Sequence, residues 1–236
     1  MVRAHRAEPD KLTLTREVLA PLPLTTRLYG KIGYIAVSDF TLGRTRQIAN
    51  AIHALSRQGA NRWVIDVRDA GVGQFPEAES SANLFLGHGL ITWIQGQKYP
   101  RQNVEAQPDK AISTDPVVVL INAGTSGPAE VLAAAIKDDG RGQLVGDKTY
   151  GDGAIQKLIP VGDGSALYLS VARYYTPSGK PVQDGIEPSV QQVRYAGALP
   201  DEDFPPEGVP PSRDDLQLDK AIQLLGGQVQ RQAAGM

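Results

Sequence analysis

Residues 116–146 read "PVVVLINAGTSGPAEVLAAAIKDDGRGQLVG", and the changes of chain character within them decide the fold. Residues 116–122 hold an unbroken apolar run, as a strand buried on both faces of a parallel sheet must. "AGTSG" then turns the chain, and Val131, Leu132, Ala135 and Ile136 share one face of a helix whose Pro128 suits a first helical position. "GQLVG" is a further short strand. Strand, helix, strand in this order predicts a parallel pair joined by a crossover helix.

Working upstream, "GKIGYIAVSDF" follows the Pro-punctuated "LAPLPLTTRLYG" and predicts a strand over residues 32–37. Thr45, Ile48, Ala49, Ile52 and Leu55 recur at helical spacing, and Gly59 ends that helix. A strand over residues 62–68 runs into the loop "DAGVGQFPEA"; "ESSANLFLGHG" predicts another helix, and "ITWIQGQKYP" an edge strand or hairpin. Downstream, "AIQKLIPV" and "SALYLSVARYY" flank the turn "GDG", so the strands after residue 153 are expected to pair antiparallel beside the parallel core. Residues 198–213 are rich in proline and acids and read as an extended linker. Past it, Ser212 with Asp215 resembles a capping box, and Leu218, Ala221, Ile222 and Leu225 form a short amphipathic helix expected to dock on the body, with dimerisation as its alternative role. The tail from residue 226 reads as frayed, and no internal repeat is visible.

The chain has 236 residues, 41% hydrophobic and 21% charged, enough for one sizeable core. A net charge of -2 with no Lys/Arg-rich run argues against nucleic acid and anionic membrane as partners. No stretch approaches the roughly 18 apolar residues of a membrane span. Absence of cysteine excludes disulfides, thiolate metal sites and a cysteine nucleophile. His5, His53 and His88 stand far apart with no acidic partner at ligand spacing, which argues against a metal. Neither "GDGAIQ" nor "GVGQF" completes a dinucleotide-binding fingerprint, so no cofactor is expected.

Several segments resemble the carboxyl-terminal processing, or tail-specific, serine peptidases of family S41: "GKIGYIAVSDF", "VIDVRDAGVG", the long block from "PVVVLINAGTSG" to "GDGAIQKLIP", and "DGSALYLSVARYYTPSGKPVQDGIEPSV". The order and spacing agree over roughly residues 12–194. The resemblance implies an α/β fold, a crotonase- and Clp-protease-like mainly parallel sheet with flanking helices and an added antiparallel β region. It also implies a Ser-Lys dyad, extended peptides or protein C-terminal tails as partners, self-association left open, and a periplasmic or otherwise extracytoplasmic setting. On this reading residues 1–15 are a remnant of a PDZ-side segment, 16–197 the peptidase-like core, 198–213 the linker and 214–236 a C-terminal helix and tail.

In the family pattern the nucleophilic serine stands three residues before a glutamate, here Glu130, which puts Gly127 at its position. The general-base lysine falls on Asp152, while the assisting glutamine is kept as Gln156. A Ser-Lys pair needs a hydroxyl to attack and a desolvated neutral amine to take its proton. One oxyanion donor, the backbone N–H after the serine, falls on Pro128, which has none. The other belongs to a loop matched here by Ala70, Gly71, Val72 and Gly73, of which only Gly73 keeps the pattern. Three readings follow: a peptide-binding pseudopeptidase; an active serine endopeptidase with a displaced pair, Ser126 and Lys148; and, from fold analogy alone, a crotonase-like acyl-CoA enzyme. The plain alternative for Thr125 and Ser126 is turn hydrogen bonding, for Lys148 a solvated cation, and for Asp66, Arg68 and Asp69 an ion pair holding a loop.

Overall fold

The computed structural model describes residues 22–195 and 215–228, together with Thr13 and Thr15. In chain order the strands and helices are β1 (Thr25–Tyr29), β2 (Ile32–Ala36), β3 (Asp39–Phe40), α1 (Arg44–Arg57), β4 (Arg62–Asp66), β5 (Val72–Gly73), α2 (Phe75–Asn83), β6 (Leu90–Gly96), β7 (Tyr99–Glu105), β8 (Val117–Ile121), α3 (Pro128–Asp138), β9 (Gly142–Gly146), β10 (Ala154–Pro160), β11 (Ala166–Tyr175), β12 (Val190–Gln191) and α4 (Leu216–Leu224).

Six strands form the main sheet in the order β1-β2-β4-β8-β9-β12. Every neighbouring pair is parallel except β1 with β2. The apolar run of β8 is explained by its central place: Val117, Val119 and Ile121 face the larger core with α1, α2 and α3, while Val118 and Leu120 face the smaller core under α4. On α1, Ile48, Ile52 and Leu55 form the buried stripe. Ala133, Ala134 and Ala135 let α3 approach its neighbours closely, and all three are buried. Trp63 is the largest side chain wholly inside; its indole N–H donates to Ser113 Oγ at 2.9 Å, so its burial leaves no orphaned donor. Burying each such large apolar side chain stabilises the fold by about 1.5–3 kcal/mol.

A second sheet, β10-β11-β6-β7, is antiparallel throughout; it contains the hairpin expected around "GDG" and, of the two readings of "ITWIQGQKYP", bears out the hairpin. Four expectations need correction. The helix expected within "ESSANLFLGHG" begins earlier, at Phe75, and ends at Asn83, because Pro76 in the first turn starts a helix rather than prolonging the loop. "TTRLY" is a strand, closed onto β2 by the turn at Gly30. Not every strand after residue 153 is antiparallel, since β12 joins β9 in parallel. Asp215 is itself the N-cap of α4, its carboxylate accepting from Leu218 N at 3.1 Å, rather than the third position of a capping box; Ser212 lies outside the described residues.

The C-terminal helix docks as its amphipathic spacing predicts: Ala221, Ile222 and Leu225 pack with Ile32, Val64, Val118, Leu120 and Val145. Buried Arg68 fastens it. Its Nε and Nη2 grip Asp66 at 2.9 and 2.6 Å, and its Nη1 reaches Asp215 and Gln217 at 3.0 Å each. Asp66 and Arg68 thus hold structure together, as the plain reading of that cluster proposes. Apart from Thr13 and Thr15, the segments read as an N-terminal remnant and as a linker, with the end of the tail, lie outside the described residues.

Candidate active-site corner

At the carboxyl end of β8, where parallel sheets present their ligand crevices, the chain turns through residues 122–127 into α3. Asn122 shapes the turn. Its Oδ1 accepts from the backbone N–H groups of Asp69 (2.9 Å) and Gly124 (3.1 Å), and its Nδ2 donates to Asp69 Oδ1 at 2.9 Å. Thr125 accepts from Asn122 N and donates to Val67 O at 2.9 Å, so it serves the turn. Asp69 has φ 60°, a left-handed conformation uncommon for a residue with a side chain. The Asn122 amide holds it there.

Gly127 stands at the elbow with φ 55° and ψ −117°, a backbone shape that strains any residue bearing a Cβ. A methyl group at this position would lie 3.7 Å from Asp152 O, 4.0 Å from Asp152 Oδ2 and 4.0 Å from Gly71 O. The elbow, the loop at Asp152 and the loop at Gly71 therefore converge, and the three sites picked from sequence as nucleophile, base and oxyanion positions are spatial neighbours. A Cβ at Gly71 would come to 2.5 Å from Ser126 Oγ, so a larger residue there would have to turn that hydroxyl aside. Val72 and Gly73 form the short strand β5, paired with β3, and Val72 is largely exposed. Pro128 is buried at the start of α3.

The backbone donors at the elbow are already engaged. Ser126 N–H donates to Ala70 O at 3.0 Å, Gly127 N–H donates to Glu130 Oε2 at 2.8 Å, and Pro128 has no N–H. Glu130, fully buried, is the residue that sequence reasoning used only to fix register. Besides Gly127 its carboxylate accepts from Gly151 N and Asp152 N, each at 2.7 Å, and from the Thr149 hydroxyl, which itself accepts from Ile186 N at 2.7 Å. Burial pushes the Glu130 carboxyl above the ordinary glutamate range, against the pull of these four donors. An acid at the third position of a helix, just before an apolar run, is the capping signature that could have found it.

The remaining candidates are dispersed. Ser126 is half-buried with Oγ against Gly71, while Lys148 Nζ lies 2.9 Å from Glu187 Oε1 at the surface, an ion pair rather than a buried neutral amine. Gln156 is exposed on β10 opposite Ser170, just past a bulge. A cleft of about 430 Å³ borders the corner at Asp69 and is lined by Tyr34, Asp66, Arg68 and Arg194 among others. Among the described residues no group of three His, Asp or Glu could hold a metal ion, and no helix is long and apolar enough to cross a membrane.

Comparison with known proteins fits this geometry. Residues 31–192 match Peptidase family S41. The chain is similar to the chloroplastic carboxyl-terminal-processing peptidase 2 of Arabidopsis thaliana, 37% identical over 187 residues, which is 74% of this chain and 36% of the relative. It is also similar to the carboxyl-terminal-processing protease of Synechocystis sp., 30% identical over 230 residues, 94% of this chain and 51% of the relative. Among solved structures, a photosystem II D1 C-terminal processing protease superposes with a TM-score of 0.69 at 32% identity, covering 76% of this chain and 50% of that one. The chain spans about half, or less, of the length of these relatives.

Proposed function

The chain belongs to peptidase family S41, and from that premise we propose that it is a peptide-binding pseudopeptidase, a carboxyl-terminal processing frame that holds protein tails without cutting them. One observation carries the reading: the position where the family pattern sets its nucleophile offers no hydroxyl, and neither it nor the residue after it offers an unengaged backbone N–H. Gly127 has no side chain, Pro128 no donor, and the N–H groups of Ser126 and Gly127 are bonded inside the protein. At the facing position Asp152 presents a carboxylate where the family pattern requires an amine. Acyl transfer needs a nucleophile and a preorganised cradle for the oxyanion, and both are wanting here.

The displaced alternative gains no support, because Lys148 lies half-exposed at the surface in an ion pair with Glu187 and is not a desolvated amine placed against Ser126. The relatives named above are peptidases, which leaves the acyl-CoA alternative without support as well. Binding of an extended peptide rests on main-chain hydrogen bonds and apolar pockets, so it can outlast the chemistry. The same reading sets the protein outside the cytoplasm, on family likeness alone.

The test is to incubate the chain with peptides ending in apolar residues, following binding by fluorescence anisotropy and cleavage by mass spectrometry. Saturable binding of intact peptide is expected. Robust cleavage that disappears in Ser126→Ala would overturn the proposal in favour of the displaced pair, and no binding at about 1 mM peptide would remove its binding half.

A further inference from the structure

Helix α2 carries two glutamates that are treated very differently by the fold. Glu77 is turned to the start of α1, where its carboxylate accepts from the N–H groups of Gly43 (2.8 Å) and Thr45 (2.9 Å) and from the Thr45 hydroxyl (2.7 Å). Burial would raise its carboxyl, but these bonds hold it below the ordinary glutamate range. Glu79 stands about 200° further round the helix and so looks away from α1, toward the second sheet. It is half-buried, and among the described residues its carboxylate has neither a hydrogen-bond donor nor a cation beside it. Burial, with nothing to oppose it, pushes this carboxyl above the ordinary range. A charge withdrawn from water without a partner is costly, whereas buried Asp39 and Glu130 are each met by donors.

One turn back on the same face of α2, Phe75 stacks on Tyr174 of β11, with ring centroids 3.9 Å apart and planes within 8°. Phe75 is half-buried, so part of its ring is open. Burial first and the Glu79 charge second push the Tyr174 phenol above its ordinary range, so carboxylate and ring lie within electrostatic reach of each other. Ile155 of β10, paired with Ala172, extends the apolar wall. The stack also bridges the two loops that flank the elbow. Tyr174 N–H donates to Gly153 O at 2.8 Å, and Gly153 follows Asp152, which faces Gly127. Phe75 comes just after β5, and the Gly71 that precedes β5 faces Gly127 from the other loop.

We propose that Glu79 is a specificity-determining residue of this corner, selecting tails with a basic side chain, arginine or lysine, at the residue seated on the elbow. The proposal rests on the reading of the corner as a peptide-binding site. Four residues along a helix span about 6 Å, a distance that the aliphatic stem of either side chain covers along the Phe75 ring before its charge meets the carboxylate. The open aromatic face attracts the cation as well. An apolar side chain in the same place would seal the carboxylate from water and leave it unpaired, and an acidic one would set like charges together, so both are disfavoured. Asp152, exposed across the elbow, is the rival source of such a preference, and the experiment separates the two.

The experiment measures, by fluorescence anisotropy on the whole chain, binding of apolar-tailed peptides in which one residue, taken in turn along the tail, is arginine, leucine or glutamate. At one position arginine should bind about tenfold more tightly than leucine, the effect of a single charge-assisted hydrogen bond, and glutamate should bind most weakly. In Glu79→Gln the advantage of arginine should vanish, in Glu79→Lys it should pass to glutamate, and in Asp152→Asn it should persist. Thermal melts supply a readout independent of peptide: a carboxylate without a partner in the fold is dispensable to it, so Glu79→Gln should melt no lower than the parent. Equal affinity for the three peptides at every position, or an arginine advantage that survives Glu79→Gln, would overturn the proposal and leave the peptide-binding reading standing. A Glu79→Gln protein that melts well below the parent would make the carboxylate a structural group and overturn it too. No binding of any peptide at about 1 mM would remove both the proposal and the reading beneath it.

Discussion

Gly127→Ala should destabilise the protein although nothing stands in the way of the new methyl group. The nearest heavy atoms would be Asp152 O at 3.7 Å and, at 4.0 Å, Asp152 Oδ2 and Gly71 O, all ordinary contacts. What opposes the substitution is the backbone, at φ 55° and ψ −117°, where a Cβ costs about 1–3 kcal/mol. The surroundings hold that conformation firmly, since Gly127 N–H is bonded to buried Glu130 and Pro128 follows inside the helix. For a domain of this size each 1 kcal/mol lowers Tm by roughly 2–4 °C, so a loss of about 4–8 °C is the central expectation. Gly127→Ser should lose less, because its hydroxyl can donate to Asp152 Oδ2 and regain about 1 kcal/mol. Calorimetry or thermal circular dichroism on the three proteins decides it. An alanine variant as stable as the parent, or stabilised by the about 0.4–1 kcal/mol that Gly→Ala gives at compatible sites, would refute the strain at the elbow.

Restoring chemistry should need three changes: Gly127→Ser with Asp152→Lys stays feeble in a peptide-cleavage assay, and adding Pro128→Ala, which returns one backbone donor, raises the rate by about 100-fold to 1,000-fold. Arg68→Met leaves Asp66 and Asp215 without their shared cation, so a loss of about 3–5 kcal/mol is expected, read as accelerated hydrogen exchange of Ala221, Ile222 and Leu225. Burial alone would raise the Asp39 carboxyl, but hydrogen bonds from Arg44 and Thr41, with the guanidinium charge, hold it down at about 2. Its folded pKa being below its unfolded one, this contribution is present above about pH 4 and fades as pH falls toward 2; Asp39→Asn should therefore be about 2 kcal/mol less stable at pH 7, with the gap closing in acid denaturant titrations.

The main sheet was legible because burial on two faces leaves an unmistakable trace: "VVVLI" and "WVI" have no polar alternation, and central parallel strands are what such runs make. Leu167, Leu169 and Val171 announced a strand by a different sign, their alternation with Ala166, Tyr168 and Ser170, although most of that stretch is exposed. β1 was hidden by exposure, since an edge strand whose residues are nearly all solvated needs no apolar pattern. Only the start of α2 was hidden, by Pro76, which reads as a loop unless its place in a first helical turn is considered. At the corner it was the resemblance to the family pattern that brought Gly127 and Asp152 together, because register within a motif survives substitution. What escaped notice was the reach of Glu130 to Gly151 and Asp152 and of Asn122 to Asp69, because these bonds go to main-chain groups of segments distant in sequence, and no local pattern records such partners.

The Glu130 clamp has a consequence for how this corner tolerates change over time. Its bonds go to the N–H groups of residues 127, 151 and 152 and to one hydroxyl, and none goes to a side chain at 127 or 152. Shape and reactivity are thereby uncoupled: the contour of the elbow is inherited through Glu130 and Thr149, whatever stands at the two facing positions. A saturation library scored for folding should then accept many residues at 152, few at 149 and almost none at 130. The most constrained position of the corner is the one that would never touch a substrate.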